Sequence, residues 1–227
     1  MKISIDFTTS ATIVLNNKSF LETHIRKIVK RSHEQINFGD IKILIKSVKS
    51  KKITDEIGGI SGYCPNKHYI EIGIDDKHFS NKSDLSKAIK KTLLHEIHHV
   101  SRRGYGINFE KEKFLEIIVS EGMADYFVYK NTKELSLWIK KYEVKKYNNN
   151  LRKKIITVLN KNFSISRYNK WFLYGSKNDN IPKWTGYYFG FQTIKKLINK
   201  KSIDLRILTE TKAKTINDKY NLERFYP

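Results

Sequence analysis

The residues best suited to chemistry lie in one short run, His95-Glu96-Ile97-His98-His99. On an α-helix, positions four apart stand one above the other on a single face. His95 and His99 can then aim ring nitrogens at one point, about 2.0–2.1 Å from a zinc ion. Glu96 adjoins the first of them and is placed to act as general base on a water at the metal. A catalytic zinc site needs a third protein ligand and an open position. Ser120-Glu121-Gly122-Met123-Ala124-Asp125 offers a carboxylate 22 positions after His99. Glu121 is the favoured third ligand, with Glu110, Glu112 and Glu116 as rivals. Glu110 and Glu112 suit a helix's first turn better, where carboxylates meet the positive end of the dipole. Asp125, one turn beyond Glu121, is placed to accept the outer N–H of a ligating histidine and fix its tautomer. Gly122 costs a helix about 1 kcal/mol relative to Ala. With Ala124 it implies close approach of two helices around the metal.

These side chains need rigid elements. Residues 2–15 alternate as a strand, and Ser19 caps a helical pattern reaching Gln35. Ile41, Ile43 and Ile45 mark a second strand. Ile70, Ile72 and Ile74 mark another over 68–74, where the nearby Pro65 and glycines suit an edge strand or a bulge. From Ser83 the period becomes helical, with Leu85, Ile89, Leu93 and Ile97 on one stripe until Gly104-Tyr105-Gly106. Asn108 is a cap for the next helix. Beyond Asn131 the pattern predicts helices over 133–147, 151–161, 184–200 and 203–220. The expected fold class is α+β. A small N-terminal mixed β-sheet with an edge strand precedes the HExxH helix and a following ligand helix, and a mostly α-helical C-terminal part completes it. Residues 1–130 form the catalytic core in this reading, and 131–227 a basic helical subdomain completing the fold.

The 227 residues carry 44 Lys+Arg against 23 Asp+Glu, a net charge of +21. Such a charge favours nucleic acid or anionic surfaces. Yet 36 of the 44 are Lys, whereas base readout relies on Arg. The excess is also uneven: residues 1–130 hold 22 basic and 16 acidic side chains, residues 131–227 hold 22 and 7. Lys140-Lys141, Lys145-Lys146 and Arg152-Lys153-Lys154, with Tyr142 and Tyr147 between, suggest a basic ridge that reads first as a solvated face. No stretch approaches the roughly 18 apolar residues of a membrane span. The single Cys64 forbids an intrachain disulfide and fits a reducing compartment, so a cytoplasmic protein is expected.

Leu94-His95-Glu96-Ile97-His98-His99 followed by Glu121-Gly122-Met123-Ala124 resembles a bacterial family of predicted zinc-dependent proteases, otherwise a domain of unknown function. Gly58-Gly59-Ile60-Ser61-Gly62-Tyr63 and Gly186-Tyr187-Tyr188-Phe189-Gly190 add to the resemblance, which spans residues 40–200. It implies a zincin-like fold and a gluzincin-like site. One zinc ion is held by His95, His99 and Glu121, with Glu96 as base, and the substrate is a peptide or protein. Gluzincins such as thermolysin carry an aspartate four residues after the ligand glutamate, and Asp125 matches that position. A tetrahedral intermediate also needs an oxyanion donor. Tyr187 is the first candidate, Tyr188 and His98 the next, and Tyr187 reads equally as a packing aromatic beside Trp184 and Phe191. In zincins an edge strand holds an extended substrate by strand addition, which points to Tyr69, Ile70, Glu71 and Ile72. Cys64 reads as a small buried residue, or a thiol touching zinc in a latent state. His68 and His78 read as surface residues. Two other classes are a nucleic-acid-associated zinc protein and a non-catalytic, peptide-binding regulatory protein.

Overall fold

The computed structural model describes residues 1–48, 55–107, 111–142 and 149–227. Asn108, Glu110, Lys145, Lys146 and Tyr147 lie outside the described residues. The chain is an α+β protein that divides into two compact units, Met1–Gly104 and Tyr105–Pro227.

The first unit carries the sheet. β1 (Ile3–Thr8), α1 (Thr12–Leu15), α2 (Lys18–His33), β2 (Ile41–Ser47), β3 (Ile60–Asn66), β4 (Tyr69–Ile74) and α3 (Lys82–Gly104) follow in order. The strands lie in the order β1-β2-β4-β3, with β1, β2 and β4 parallel and β3 antiparallel to β4. Parallel pairing of β1 and β2 requires a crossover, which α2 supplies. Ile41, Ile43 and Ile45 on β2, and Ile70, Ile72 and Ile74 on β4, bury the same period-two face. α3 packs on β3, β4 and α2 through Leu85, Ile89, Leu93 and Ile97.

Three expectations change here. The first strand stops at Thr8, because the Ser47 hydroxyl accepts from the backbone of Ser10 and Ala11 and turns the chain into α1. The long helix starts at Lys18, with Asn17 and not Ser19 at its cap position. The strand at 68–74 is interior, not an edge. Tyr69 pairs with Lys42 on one side and Asn66 on the other, and Ile72 pairs with Ile45 and Gly62. Glu71 is ion-paired to Lys46. The backbones of Tyr69, Ile70, Glu71 and Ile72 therefore have no free side for an added strand. Among the described strands the edges are β1 and β3, and Pro65 sits on β3, where its missing N–H breaks no ladder.

The second unit is helical: α4 (Phe114–Thr132), α5 (Leu137–Lys141), α6 (Asn149–Leu159), α7 (Ile165–Tyr168), α8 (Thr185–Lys201), α9 (Leu205–Glu210) and α10 (Ala213–Tyr220). α7 runs on into a π-helical stretch, Asn169–Tyr174. α4 is mostly apolar and buried along most of its length, the mark of a central helix. It packs along α8 so closely that a Cβ on Gly122 would stand 2.3 Å from the Gly190 carbonyl carbon. The close approach implied by Gly122 is thus with α8. The helix expected over 133–147 shrinks to Leu137–Lys141 among the described residues, and 165–174 is helical although no periodicity announced it. α4 begins at Phe114, so Glu112 precedes it and Glu116 is its first-turn acid. No helix among the described residues is long and apolar enough to cross a membrane.

Candidate metal centre

In the first unit, the buried stripe of α3 fixes the rotation of the helix and hence the direction of the HExxH side chains. His95 and His99 are both buried, and their Nε2 atoms stand 3.1 Å apart. Ligand atoms about 2.05 Å from a tetrahedral zinc lie about 3.3 Å from one another. The two imidazoles are therefore spaced to share one ion. Glu96, 7% exposed, lies over Gly62 of the edge strand. A Cβ at Gly62 would stand 2.4 Å from Glu96 Oε1 and 2.7 Å from its Cγ. Gly62 thus leaves the space that the Glu96 carboxylate occupies.

His98 is fully buried. Desolvation, then the charge of Arg102, hold its pKa well below the usual histidine value, so it stays neutral inside the core. Cys64 is buried on β3 and donates to the Asn66 carbonyl at 3.2 Å. Burial, then the Glu96 charge, push its thiol up to about 12.

In the second unit, Glu121 is 3% exposed on α4 and accepts from the Tyr168 hydroxyl at 3.2 Å. Tyr168 and Tyr187 hydroxyls stand 3.0 Å apart. With the Tyr168 proton directed to Glu121, Tyr187 donates to Tyr168, giving a chain Tyr187→Tyr168→Glu121. Burial first, then Tyr168 and Glu121, keep the Tyr187 hydroxyl protonated well above the usual phenol range. Asp125 accepts from Ser136 Oγ at 2.6 Å and Trp138 Nε1 at 2.8 Å. Trp138 in turn lies against the Tyr187 ring. Gly186 and Gly190 seat α8 by leaving room for Phe172 and for α4, which sets the place of Tyr187 between them.

The family described as "Predicted Zn-dependent protease (DUF2268)" matches residues 21–218. The chain belongs to this family. Neither a curated protein nor a solved structure matches it significantly.

Two of the rival carboxylates, Glu116 and Glu112, have partners of their own. Glu116 accepts from Ser120 Oγ at 3.1 Å and from the backbone N of Ala213 at 2.6 Å, capping the start of α10. Glu112 is paired with Lys212. Tyr188 stacks on Tyr142 in an aromatic core cluster. That same contact buries Tyr142, so it is not a stacking platform on a basic ridge. His68 and His78 are exposed, as expected. The sequence reading missed Tyr168, Ser136 and Trp138. The signal for Tyr168 was Ser164, which caps its short helix by accepting from Arg167 N at 3.2 Å.

Proposed function

We propose that this protein is a zinc metallopeptidase of gluzincin type on a zincin-like fold, hydrolysing peptide bonds. His95, His99 and Glu121 would hold one zinc ion, and Glu96 would be the general base. The observation that carries the reading is the 3.1 Å convergence of two buried histidine nitrogens beside a buried glutamate on the same helix. All three proposed ligands are buried, and together they form a His-His-carboxylate set that could hold a metal. The family's description as a zinc-dependent protease supports the same chemistry.

A zinc ion bound there supplies Lewis acidity, polarising a carbonyl and lowering the pKa of water toward about 7. Glu96 takes the proton of the attacking water and returns it to the leaving amine. Gly62 holds the Glu96 carboxylate against the edge strand while it does so. Tyr168 steadies Glu121, and Asp125, itself held by Ser136 and Trp138, steadies the outer N–H of a ligating histidine. Tyr187, protonated, would turn its single O–H from the Tyr168 oxygen to the developing oxyanion, while Tyr168 keeps its proton on Glu121. An extended substrate would pair with the free edge of β3. Residues 1–130 supply base and ligands in this reading. Residues 131–227 complete the site through Ser136, Trp138, Tyr168 and Tyr187. A cytoplasmic location suits the lone protonated thiol.

The test is Glu96→Gln. It should retain zinc while losing hydrolysis of a peptide library by about 10²–10⁴-fold. Hydrolysis at the wild-type rate would remove Glu96 from the mechanism.

A further inference from the structure

A second group of ligand-type side chains lies in the first unit, at the open end of the β3–β4 hairpin. Asp75 follows β4, and its backbone N donates to the Gly59 carbonyl at 2.9 Å, tying the end of β4 to the turn before β3. Gly58 and Gly59 have φ of 84° and 78°, a left-handed turn that glycine adopts freely. A Cβ on Gly59 would stand 2.3 Å from His78 Cβ, so the turn lies directly against His78. Asp55 opens that turn, its carbonyl accepting from Gly58 N at 3.3 Å.

Three side chains converge here. His78 Nε2 is 2.9 Å from Asp55 Oδ1 and 3.9 Å from Asp75 Oδ2, and the ligand atoms of all three lie within 4.8 Å of one another. These separations bracket the roughly 3.3 Å between donors on a tetrahedral zinc. The Asp75 side chain is 8% exposed, and among the described residues its buried Oδ2 has no hydrogen-bond partner. A buried carboxylate oxygen without a donor is costly, and such an atom points to a missing cation or water. Among the described residues, a lysine within reach is Lys77, whose ammonium stands 3.4 Å from Asp55 Oδ1 and 3.6 Å from Asp75 Oδ2. Its side chain is 54% exposed, so it can swing into solvent.

We propose that Asp55, Asp75 and His78 form a second, peripheral zinc site, for which Lys77 competes. Two carboxylates and one imidazole are a donor set that zinc accepts, with water completing the coordination. Bound there, the ion fastens the Gly58-Gly59 turn to the end of β4 and so fixes the start of the edge strand β3. Its role is to order that edge.

The test uses the full chain stripped with chelator, with zinc alone as the probe and calorimetry as the readout. In the His95→Ala/His99→Ala variant, one equivalent of zinc should still bind and should raise the melting temperature. Adding Asp55→Asn and His78→Ala should abolish that binding; the Asp55 side chain is exposed and that of His78 partly so, and circular dichroism checks that the fold survives. Lys77→Gln should tighten the site about two- to fivefold, the worth of an exposed ion pair. Absence of binding to His95→Ala/His99→Ala up to about 1 mM zinc, or binding that survives Asp55→Asn/His78→Ala, would overturn the proposal. An unchanged affinity in Lys77→Gln would overturn the competition. A wild-type chain whose only zinc is lost in Asp55→Asn/His78→Ala would instead refute the His95/His99 centre.

Discussion

Replacing Gly62 with alanine should disable the proposed base while leaving the histidines untouched. The added Cβ would stand 2.4 Å from Glu96 Oε1, 2.7 Å from Cγ and 2.8 Å from Cδ, whereas ordinary contact begins at 3.4 Å. The carboxylate must therefore retreat by about 1.0 Å, and because three of its atoms clash, the whole arm has to swing. A displacement of about 1 Å at a reacting group costs about 10²-fold in rate, or roughly 2.7 kcal/mol on the barrier. The fold should survive. The clash is with the mobile end of a side chain, and alanine in a strand is favoured over glycine by about 0.5–1 kcal/mol. Zinc affinity should be unchanged, since the three atoms nearest the new methyl group all belong to Glu96. The assay is kcat/KM on a library of unstructured peptides read by mass spectrometry, alongside zinc content and melting temperature. The double variant Gly62→Ala/Glu96→Gln should be no slower than Glu96→Gln alone, because both act through one carboxylate. Wild-type kcat/KM in Gly62→Ala would refute the reasoning: either Glu96 is not the base or its position against β3 is immaterial.

Three further outcomes follow from the same geometry. Tyr168→Phe removes a hydrogen bond to a buried carboxylate while the ring keeps its stack on Phe172, so zinc Kd should rise about tenfold by chelator competition. An unchanged Kd would detach Tyr168 from Glu121's role. Glu116→Gln should lower the melting temperature through the cap it gives α10 yet leave zinc affinity intact, whereas a loss of zinc would revive Glu116 as third ligand. Cys64, with its thiol pushed up to about 12, is about one part in 10⁴ thiolate at pH 8, so iodoacetamide should spare it until the chain unfolds. The folded-state value lies above the ordinary 9.0, so this group's stabilisation is complete below about pH 9 and is lost as pH rises toward 12.

What was legible in the sequence was the part that local geometry dictates. Residues four apart on a helix share a face whatever surrounds them, so His95 and His99 converge as expected and the stripe from Leu85 to Ile97 is buried. Alternation at 41–45 and 70–74 named two strands but not their neighbours. β4 lies inside the sheet because β2 claims one side and β3 the other, and such pairing is a long-range fact. The same holds around Glu121. Tyr168 is 47 residues away, and it sits where a short helix passes into a π-helical stretch that lacks the 3.6-residue period. Asp125's partners come from the chain after α4, and Glu116 caps a helix 97 positions on. Gly62 illustrates the middle case. Its presence in a glycine-rich run was plain, but the reason for it, the room taken by Glu96, required the fold.

His95, His99 and Glu121 are proposed to bind one zinc ion together. A crystal structure of the zinc-loaded protein with anomalous data at the zinc edge tests it most directly. An anomalous peak is expected about 2.0–2.2 Å from Nε2 of both histidines and from a Glu121 carboxylate oxygen, with a further position open to solvent. A peak bound by the histidines without Glu121, or no peak between the histidines at full zinc loading, would contradict it.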